Sequence, residues 1–122
     1  MELPRESALL RIYVAEDDKY HGKPLYRAIV GFARAHGLAG ATVLRGMLGF
    51  GKSSNITSTR ILRFTENLPI VIEIVDTRER IDAILPELDA MISKGALVTL
   101  EKIEVVAYRP GKEKEPPPND KG

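Results

Sequence analysis

Residues 45–63 (RGMLGFGKSSNITSTRILR) carry the side chains best suited to ligand chemistry. The stretch contains three glycines, four basic residues and a run of hydroxyl and amide side chains, and it contains no acidic residue. Glycines permit turns with positive φ and let a ligand approach the backbone N–H groups, and Arg and Lys add positive charge there. This composition suits an anion, most simply a phosphate. Because nothing in the stretch could activate a nucleophile, it predicts binding and not catalysis.

Two alternatives stay open within this stretch. The glycine pattern G-x-x-G-x-G is a weak motif that can serve turn geometry alone, and it is not a Walker loop because the spacing to Lys52 is wrong. Arg45 lies among apolar neighbours, where an unpaired guanidinium is costly to bury. It therefore pairs either with an acid such as Glu73 or with a ligand phosphate. Lys52 is the next candidate because it follows Gly51 directly.

Other polar residues offer weaker sites. The acids Glu16, Asp17 and Asp18 are consecutive and could hold a divalent cation, although such runs are more often plain surface. His21 and His36 lack partners at metal-ligand spacing, and His36 is expected at a helix end. No Ser-His-Asp constellation and no carboxylate pair suits acid–base work. We predict no catalytic residue and no metal site; the alternatives are a small enzyme acting on a phosphorylated metabolite and a metal-linked oligomer.

The bulk composition bounds the class of protein. The 122 residues suit one domain. The absence of cysteine excludes disulfides and thiolate metal sites, and a net charge of +1 argues against a nucleic-acid partner. No apolar run approaches the ~20 residues of a membrane span, and the first residues lack a signal-peptide pattern. The sequence predicts a cytoplasmic protein that does not insert into a membrane.

Hydrophobic periodicity predicts six elements and a tail. Strands are expected at 8–14, 41–48, 60–75 and 97–108, helices at 24–36 and 76–94, and a disordered tail at 110–122 after a single domain over 1–109. A loop is expected over 16–23, and Gly37 and Gly95 are expected to end the helices.

Four local features are also predicted. Pro69 interrupts its strand, and Asp76 and Glu79 form a capping box that opens the second helix. Pro86 kinks or restarts that helix. A change of phase between Leu100 and Ile103 predicts a bulge or bend in the last strand.

The order β-α-β-β-α-β predicts an α+β, ferredoxin-like fold: a four-stranded antiparallel sheet with both helices on one face. The other face then carries Leu9, Tyr13, Val71 and Val75. An exposed apolar face of this kind marks an interface, so we expect a homo-oligomer with packed sheets.

Three segments resemble the DUF190 family of small prokaryotic proteins with a PII-like fold. They are AGATVLRGMLGFG (39–51), LPIVIEIVD (68–76) and LVTLEKIEVVAY (97–108), and LLRIYVAEDDKYHGKPLY (9–26) fits the same family. The resemblance covers nearly all of residues 8–109. It implies a homotrimer that binds nucleotides in clefts between subunits and reports them through the loop between the second and third strands, here 53–60.

The resemblance also implies a site and a ligand. PII proteins have a glycine-rich, lysine-containing turn before the last strand, and here only Ser93-Lys94-Gly95 occupies that place. The shorter turn favours AMP or ADP over a triphosphate, as a ligand and not as a required cofactor. An association of the family with fluoride-channel genes in some genomes suggests a membrane channel or transport protein as partner. The implied ligand-binding residues are Arg45, Gly46, Gly49, Phe50, Gly51, Lys52, Gly95 and Arg109.

Overall fold

A four-stranded antiparallel sheet with two helices on one face forms the framework of the described chain. The computed structural model describes residues 3–50, 68–92 and 95–111. In chain order the elements are β1 (Glu6–Ala15), β2 (Lys19–Tyr20), β3 (Lys23–Pro24), α1 (Leu25–Ala35), β4 (Ala41–Arg45), β5 (Pro69–Asp76), α2 (Arg78–Met91) and β6 (Leu97–Glu104). The large sheet has the strand order β4-β5-β1-β6. The predicted α+β, ferredoxin-like fold is confirmed.

The two central strands supply the sheet's share of the core. β1 pairs with β5 from Ala8 opposite Asp76 to Ala15 opposite Pro69. Their alternation places one residue in two against the helices, as period-two apolar patterning predicts. Helices α1 and α2 add residues at helical spacing. The buried hydrophobic residues are Ala8, Leu10, Ile12, Val14, Leu25, Ile29, Ala33, Ile70, Ile72, Ile74, Ile81, Ile84 and Leu88.

The predicted loop over 16–23 contains a small hairpin. Tyr20 pairs with Lys23, and the two residues between them, His21 and Gly22, have φ values of 51° and 80°. Positive φ at both positions is the requirement of a type I′ hairpin turn. Pro24 then precedes α1 as its N-cap, so the helix begins at Leu25, one residue later than predicted. At the other end, Gly37 has φ 70° and follows the helix as predicted.

The start of α2 corrects the predicted capping box by one residue. Thr77 is the N-cap, and its side chain accepts a hydrogen bond from the Arg80 backbone N–H at 3.1 Å. Asp76 is fully buried and is not the N-cap of α2. Its carboxylate accepts from the backbone N–H groups of Ala39 at 2.8 Å and Thr77 at 2.7 Å. It thereby ties the start of α2 to the loop before β4.

Helix α2 runs through Pro86 as one element, so the predicted restart is wrong. Proline removes the hydrogen bond to the carbonyl of Asp82, but both residues lie on the exposed side of the helix. Water can solvate the freed carbonyl there. The helix ends at Met91 and not at Gly95, which has φ 96° in the connection to β6.

The last strand is also simpler than predicted. β6 pairs with β1 without interruption from Glu6 opposite Glu104 to Tyr13 opposite Leu97, so the predicted bulge is wrong. The strand ends at Glu104, short of the predicted Tyr108. Because β6 is an edge strand with mostly exposed side chains, burial does not impose one phase on its apolar residues. The predicted tail beyond residue 111 lies outside the described residues.

The face of the sheet away from the helices is partly apolar, as predicted. The strand registers place Leu44, Val71, Tyr13 and Leu97 side by side across all four strands of the large sheet. The next row is polar, and in it the Arg11 guanidinium donates to the carboxylate of Glu73 at 2.9 Å. We call the first row the apolar row.

Candidate functional site at the end of strands β4 and β5

Antiparallel pairing brings the end of β4, the start of β5 and the end of β1 to one end of the sheet. The Gly46 backbone N–H donates to the carbonyl oxygen of Pro69 at 2.7 Å, and the Glu16 N–H donates to the carbonyl oxygen of Leu68 at 2.9 Å. These bonds hold the segment after β1 and the segment after β4 against the start of β5. We call Glu16, Arg45, Gly46, Gly49 and Pro69 the strand-end site.

Arg45 meets an acid, but not the one predicted. Its guanidinium donates to the Glu16 carboxylate and forms an ion pair with it. Glu73 instead accepts from Arg11 on the other face of the sheet, so the predicted alternative of an Arg45–Glu73 pair is wrong. Arg45 is the last residue of an edge strand and its side chain is 57% exposed. The predicted mid-strand surroundings are therefore also wrong, and the guanidinium is accessible from solvent.

Packing, and not φ, accounts for the two described glycines of the stretch: it requires glycine at Gly46 and disfavours a side chain at Gly49. Gly46 and Gly49 are absent from the positive-φ residues of the described chain. A Cβ built on Gly46 would lie 2.7 Å from Cγ of Pro69, and one built on Gly49 would lie 3.3 Å from the same atom. The close approach expected of these glycines exists, and its partner is the Pro69 ring. Pro69 itself opens β5, which is an allowed position for proline, so it does not interrupt the described strand.

Exposed apolar side chains follow Arg45 along the chain. Met47, Leu48 and Phe50 are 90%, 75% and 91% exposed. Sequence reasoning selected Phe50 and missed Met47 and Leu48. The signal that could have found them is their position between glycines at the end of an edge strand, where no core is available to cover them. A flat aromatic group could pack against such side chains while its charged part met Arg45.

The remaining predicted residues do not join this site within one chain. Gly95 precedes β6 at the same end of the sheet, but β4 and β6 are opposite edges, about 14 Å apart at three strand spacings. Arg109 follows the other end of β6, where the Val105 N–H donates to the Arg5 carbonyl oxygen at 2.7 Å. Gly51 and Lys52, with the predicted reporter loop 53–60, lie outside the described residues.

The acidic run after β1 serves local structure. The Asp18 carboxylate accepts from the backbone N–H of Ala15 at 2.9 Å, which closes the turn into the hairpin, while Glu16 faces Arg45. In residues 3–50, 68–92 and 95–111 no group of three or more His, Cys, Asp or Glu side chains is placed to hold a metal ion. Within the same ranges, no helix has the length and apolar character needed to cross a membrane.

His36 lies at the end of α1, as predicted, and bridges the two helices. Its ring nitrogens lie 2.9 Å from the carbonyl oxygen of Phe32 and 3.2 Å from the carboxylate of Glu87 in α2. The hydrogen bond to Phe32 and then the Glu87 carboxylate raise the pKa of His36 above its ordinary value, against some desolvation. This histidine is structural and lies away from the strand-end site.

Comparison with known proteins gives both a fold and a family. A crystal structure described as a PII-like signaling protein from Thermus thermophilus matches 87% of this chain and 94% of its own length, with a TM-score of 0.58 and 18% identity. At that identity the likeness concerns the fold, and it confirms the predicted PII-like architecture.

Sequence relatives are closer. A UPF0166 protein of Aquifex aeolicus is 39% identical over 98 residues, which are 80% of this chain and 91% of the relative. A second UPF0166 protein, from Methanocaldococcus jannaschii, is 34% identical over 100 residues, 82% of this chain and 92% of its own. The model of DUF190, a family described as Uncharacterized ACR, matches residues 7–105. The predicted family is confirmed: the chain belongs to the DUF190 family.

Proposed function

We propose that this protein is a PII-like regulatory protein that binds an adenine nucleotide, AMP or ADP in preference to ATP, at clefts between subunits. The observation that carries the proposal is the solvent-accessible guanidinium of Arg45, followed closely along the chain by the exposed apolar side chains of Met47, Leu48 and Phe50. A nucleotide needs both halves of this arrangement. Its phosphate pairs with the guanidinium, and its base packs on the apolar side chains.

The cleft belongs to two subunits because one chain cannot assemble it. Arg45 and Gly95 lie on opposite edges of the sheet. In a ring of copies, the β4 edge of one subunit approaches the β6 edge of the next. Arg45 of one subunit then lies near Gly95 of its neighbour. The exposed Leu97 and Val98 of β6 then add apolar surface. A homotrimer is the assembly we propose, with Arg109, Gly51 and Lys52 completing the cleft.

The output of such a protein is a conformational signal and not a product. A ligand bound at the strand-end site would change the relative populations of the conformations of the segment that follows Phe50. A partner protein would recognise one of those conformations. A membrane channel or transport protein is the partner class we propose. Prolonged incubation with AMP, ADP or ATP followed by chromatography should show unchanged nucleotide. Turnover would favour an enzyme acting in the same cleft.

The first test is isothermal titration calorimetry of the protein with AMP, ADP, ATP and cyclic adenine nucleotides, with and without magnesium. We expect a micromolar dissociation constant, about −8 kcal/mol, for AMP or ADP. Arg45→Ala should weaken that binding about tenfold or more, because a hydrogen-bonded charge contributes about 1.5–3 kcal/mol.

The matched control is Arg34→Ala, which removes an exposed arginine from the last turn of α1. It should leave the dissociation constant within about twofold, since exposed charges more than ~10 Å apart are largely screened. Equal affinities of the Arg45→Ala and wild-type proteins would remove Arg45 from the site. Silence with every nucleotide would contradict nucleotide binding itself.

A further inference from the structure

The strand-end site contains an acidic residue that the anion-binding function does not need. Glu16 follows β1, and its backbone is held by the hydrogen bond from its N–H to the Leu68 carbonyl oxygen. Its side chain is 24% exposed, against 57% for Arg45. The carboxylate is therefore the more confined member of the pair, and the guanidinium is the member with room to turn toward solvent.

We propose that Glu16 is an internal competitor for Arg45, which sets the threshold concentration at which a phosphate-bearing ligand binds. The inference rests on the proposed function and identifies a residue that opposes it. A phosphate and a carboxylate make the same kind of charge-assisted hydrogen bond to a guanidinium. A ligand that recruits Arg45 must draw it away from Glu16 or share it.

Two physical terms make Glu16 lower the affinity. The first is the lost ion pair, since one carboxylate oxygen of Glu16 accepts from Arg45 and the other is buried without a hydrogen-bond partner among the described residues. When Arg45 leaves, a confined carboxylate loses its bonded cation, which is unfavourable. The second is repulsion between the carboxylate and a phosphate held a few ångströms away. Both terms vanish when the charge of Glu16 is removed.

The test compares Glu16→Gln with Asp17→Asn in titrations with AMP and ADP. Glutamine keeps the size of Glu16 and removes its charge. Asp17 is the neighbouring exposed residue, so its substitution changes the net charge equally without touching Arg45's partner. We expect Glu16→Gln to tighten binding about threefold or more, by the removed repulsion, and Asp17→Asn to change it less than about twofold.

A double substitution separates competition from a general charge effect. In the Arg45→Ala background, Glu16→Gln should lose most of its benefit, because residues in direct contact give non-additive effects. Thermal unfolding should show a melting temperature for Glu16→Gln within a few degrees of the wild type, because glutamine can still accept a hydrogen bond from Arg45 and removes the confined charge. That measurement keeps a folding defect from being mistaken for an affinity change.

Each result decides one of the two proposals. If the wild type binds and Glu16→Gln binds equally or more weakly, or if Asp17→Asn tightens binding as much, the competition is overturned while nucleotide binding stands. If Glu16→Gln binds AMP or ADP more weakly than the wild type only when magnesium is present, Glu16 is a cation ligand. That result would also overturn the competition. Binding by Glu16→Gln where the wild type is silent supports it. If neither protein binds any nucleotide, the proposed function fails and the competition fails with it.

Discussion

At the scale of single residues, the strand-end site shows how one sequence feature can have two causes. A glycine near a basic residue is the composition of a phosphate loop. Here Gly46 and Gly49 both face the ring of Pro69, and a Cβ on Gly46 would come within 2.7 Å of Cγ. Packing alone explains why Gly46 is glycine, and it disfavours a side chain at Gly49. The case for an anion site therefore depends on Arg45 and its exposure.

Gly46→Ala should destabilise the protein by about 1–3 kcal/mol, the range for overpacking a close contact. The proline ring cannot turn aside as a flexible side chain would, and the hydrogen bond from Gly46 to the Pro69 carbonyl would be displaced. The free energy of unfolding in urea measures this cost. Gly40→Ala is the matched control, because a Cβ there meets nothing within 4 Å.

A second variant locates the cause of that cost. Pro69→Ala removes Cγ and leaves Cβ, which lies 3.5 Å from the Cβ built on Gly46. In the Pro69→Ala background, Gly46→Ala should cost clearly less. If Gly46→Ala lowers the free energy of unfolding no more than Gly40→Ala does in the wild-type background, the packing explanation is wrong. Gly46 would then again be evidence for a ligand-binding site.

At the scale of elements, a titratable contact joins the end of α1 to α2. The Nδ1 of His36 lies 2.9 Å from the Phe32 carbonyl oxygen within α1, and its Nε2 lies 3.2 Å from Glu87 in α2. Protonated imidazole donates from both nitrogens, and positive charge at the end of a helix is favourable. The geometry therefore suits the charged form.

Stability should depend on pH through His36. The pKa of His36 in the folded protein is raised above the ordinary 6.5, first by Phe32 and then by Glu87. A raised pKa means that the stabilisation is complete below the unfolded-state pKa and is lost as pH rises through the folded-state pKa. Unfolding in urea from pH 5 to 9 should show this decline, and His36→Gln should flatten it.

The pKa itself can be followed by NMR in a His21→Gln background, where His36 is the one remaining histidine. Glu87→Gln should lower the pKa of His36 but leave it above the ordinary value, because the Phe32 carbonyl remains. Glu79→Gln removes a charge from the first turn of the same helix and should change the pKa less. A pKa of His36 at or below 6.5 in the unsubstituted helix pair would contradict the contact.

Prediction from sequence succeeded where burial constrains the pattern. Alternation in β1 and β5 and the spacing in α1 follow from one face being inside. The positions of β1 and α1 were therefore correct to within two residues. The alternation in β5 was also correct, while the predicted beginning of that strand at residue 60 lies outside the described residues. The bulge in β6 was wrong because an edge strand with exposed side chains is free of that constraint. The capping box was wrong by one residue because Asp76 and Thr77 are both good N-caps, and a buried contact with Ala39 decided between them.

The candidate site was predicted less completely for a similar reason. Arg45 was recognised from the composition of residues 45–63, but the acid that pairs with it could not be predicted. Glu16 follows a different strand, and only the register of β1, β5 and β4 places the two residues at one end of the sheet. Gly95 and Arg109 came from resemblance, and the sheet order puts them away from Arg45 in a single chain.

At the scale of the whole molecule, the sheet has a face and an edge that a second copy can cover. The apolar row crosses the sheet, and three of its members, Leu44, Tyr13 and Leu97, are at least one-third exposed. Beside it, Arg11 is held by Glu73 and Glu101, so the neighbouring charges are already paired. Packed sheets could bury this surface without leaving an unpaired ion there.

Tyr13→Lys should therefore dissociate the proposed homotrimer. Tyr13 lies in the apolar row on the central strand β1, and a lysine buried between sheets has no partner for its charge. Light scattering after size-exclusion chromatography should give a trimer for the wild type and monomers for Tyr13→Lys at micromolar concentration. Val106→Lys is the control, because Val106 is 90% exposed and lies beyond the end of β6. It should remain trimeric.

The same variant tests whether the cleft needs two subunits. Tyr13 is on the face of the sheet opposite the helices and is not a member of the strand-end site, so Arg45 and Glu16 are intact in Tyr13→Lys. Nucleotide affinity should nevertheless fall about tenfold or more, since each monomer would keep only one wall of the cleft. A dissociated variant that binds as tightly as the trimer would place the whole site within one chain. If Tyr13→Lys stays trimeric, the apolar row is not part of the interface, and the β4 and β6 edges remain as its contacts.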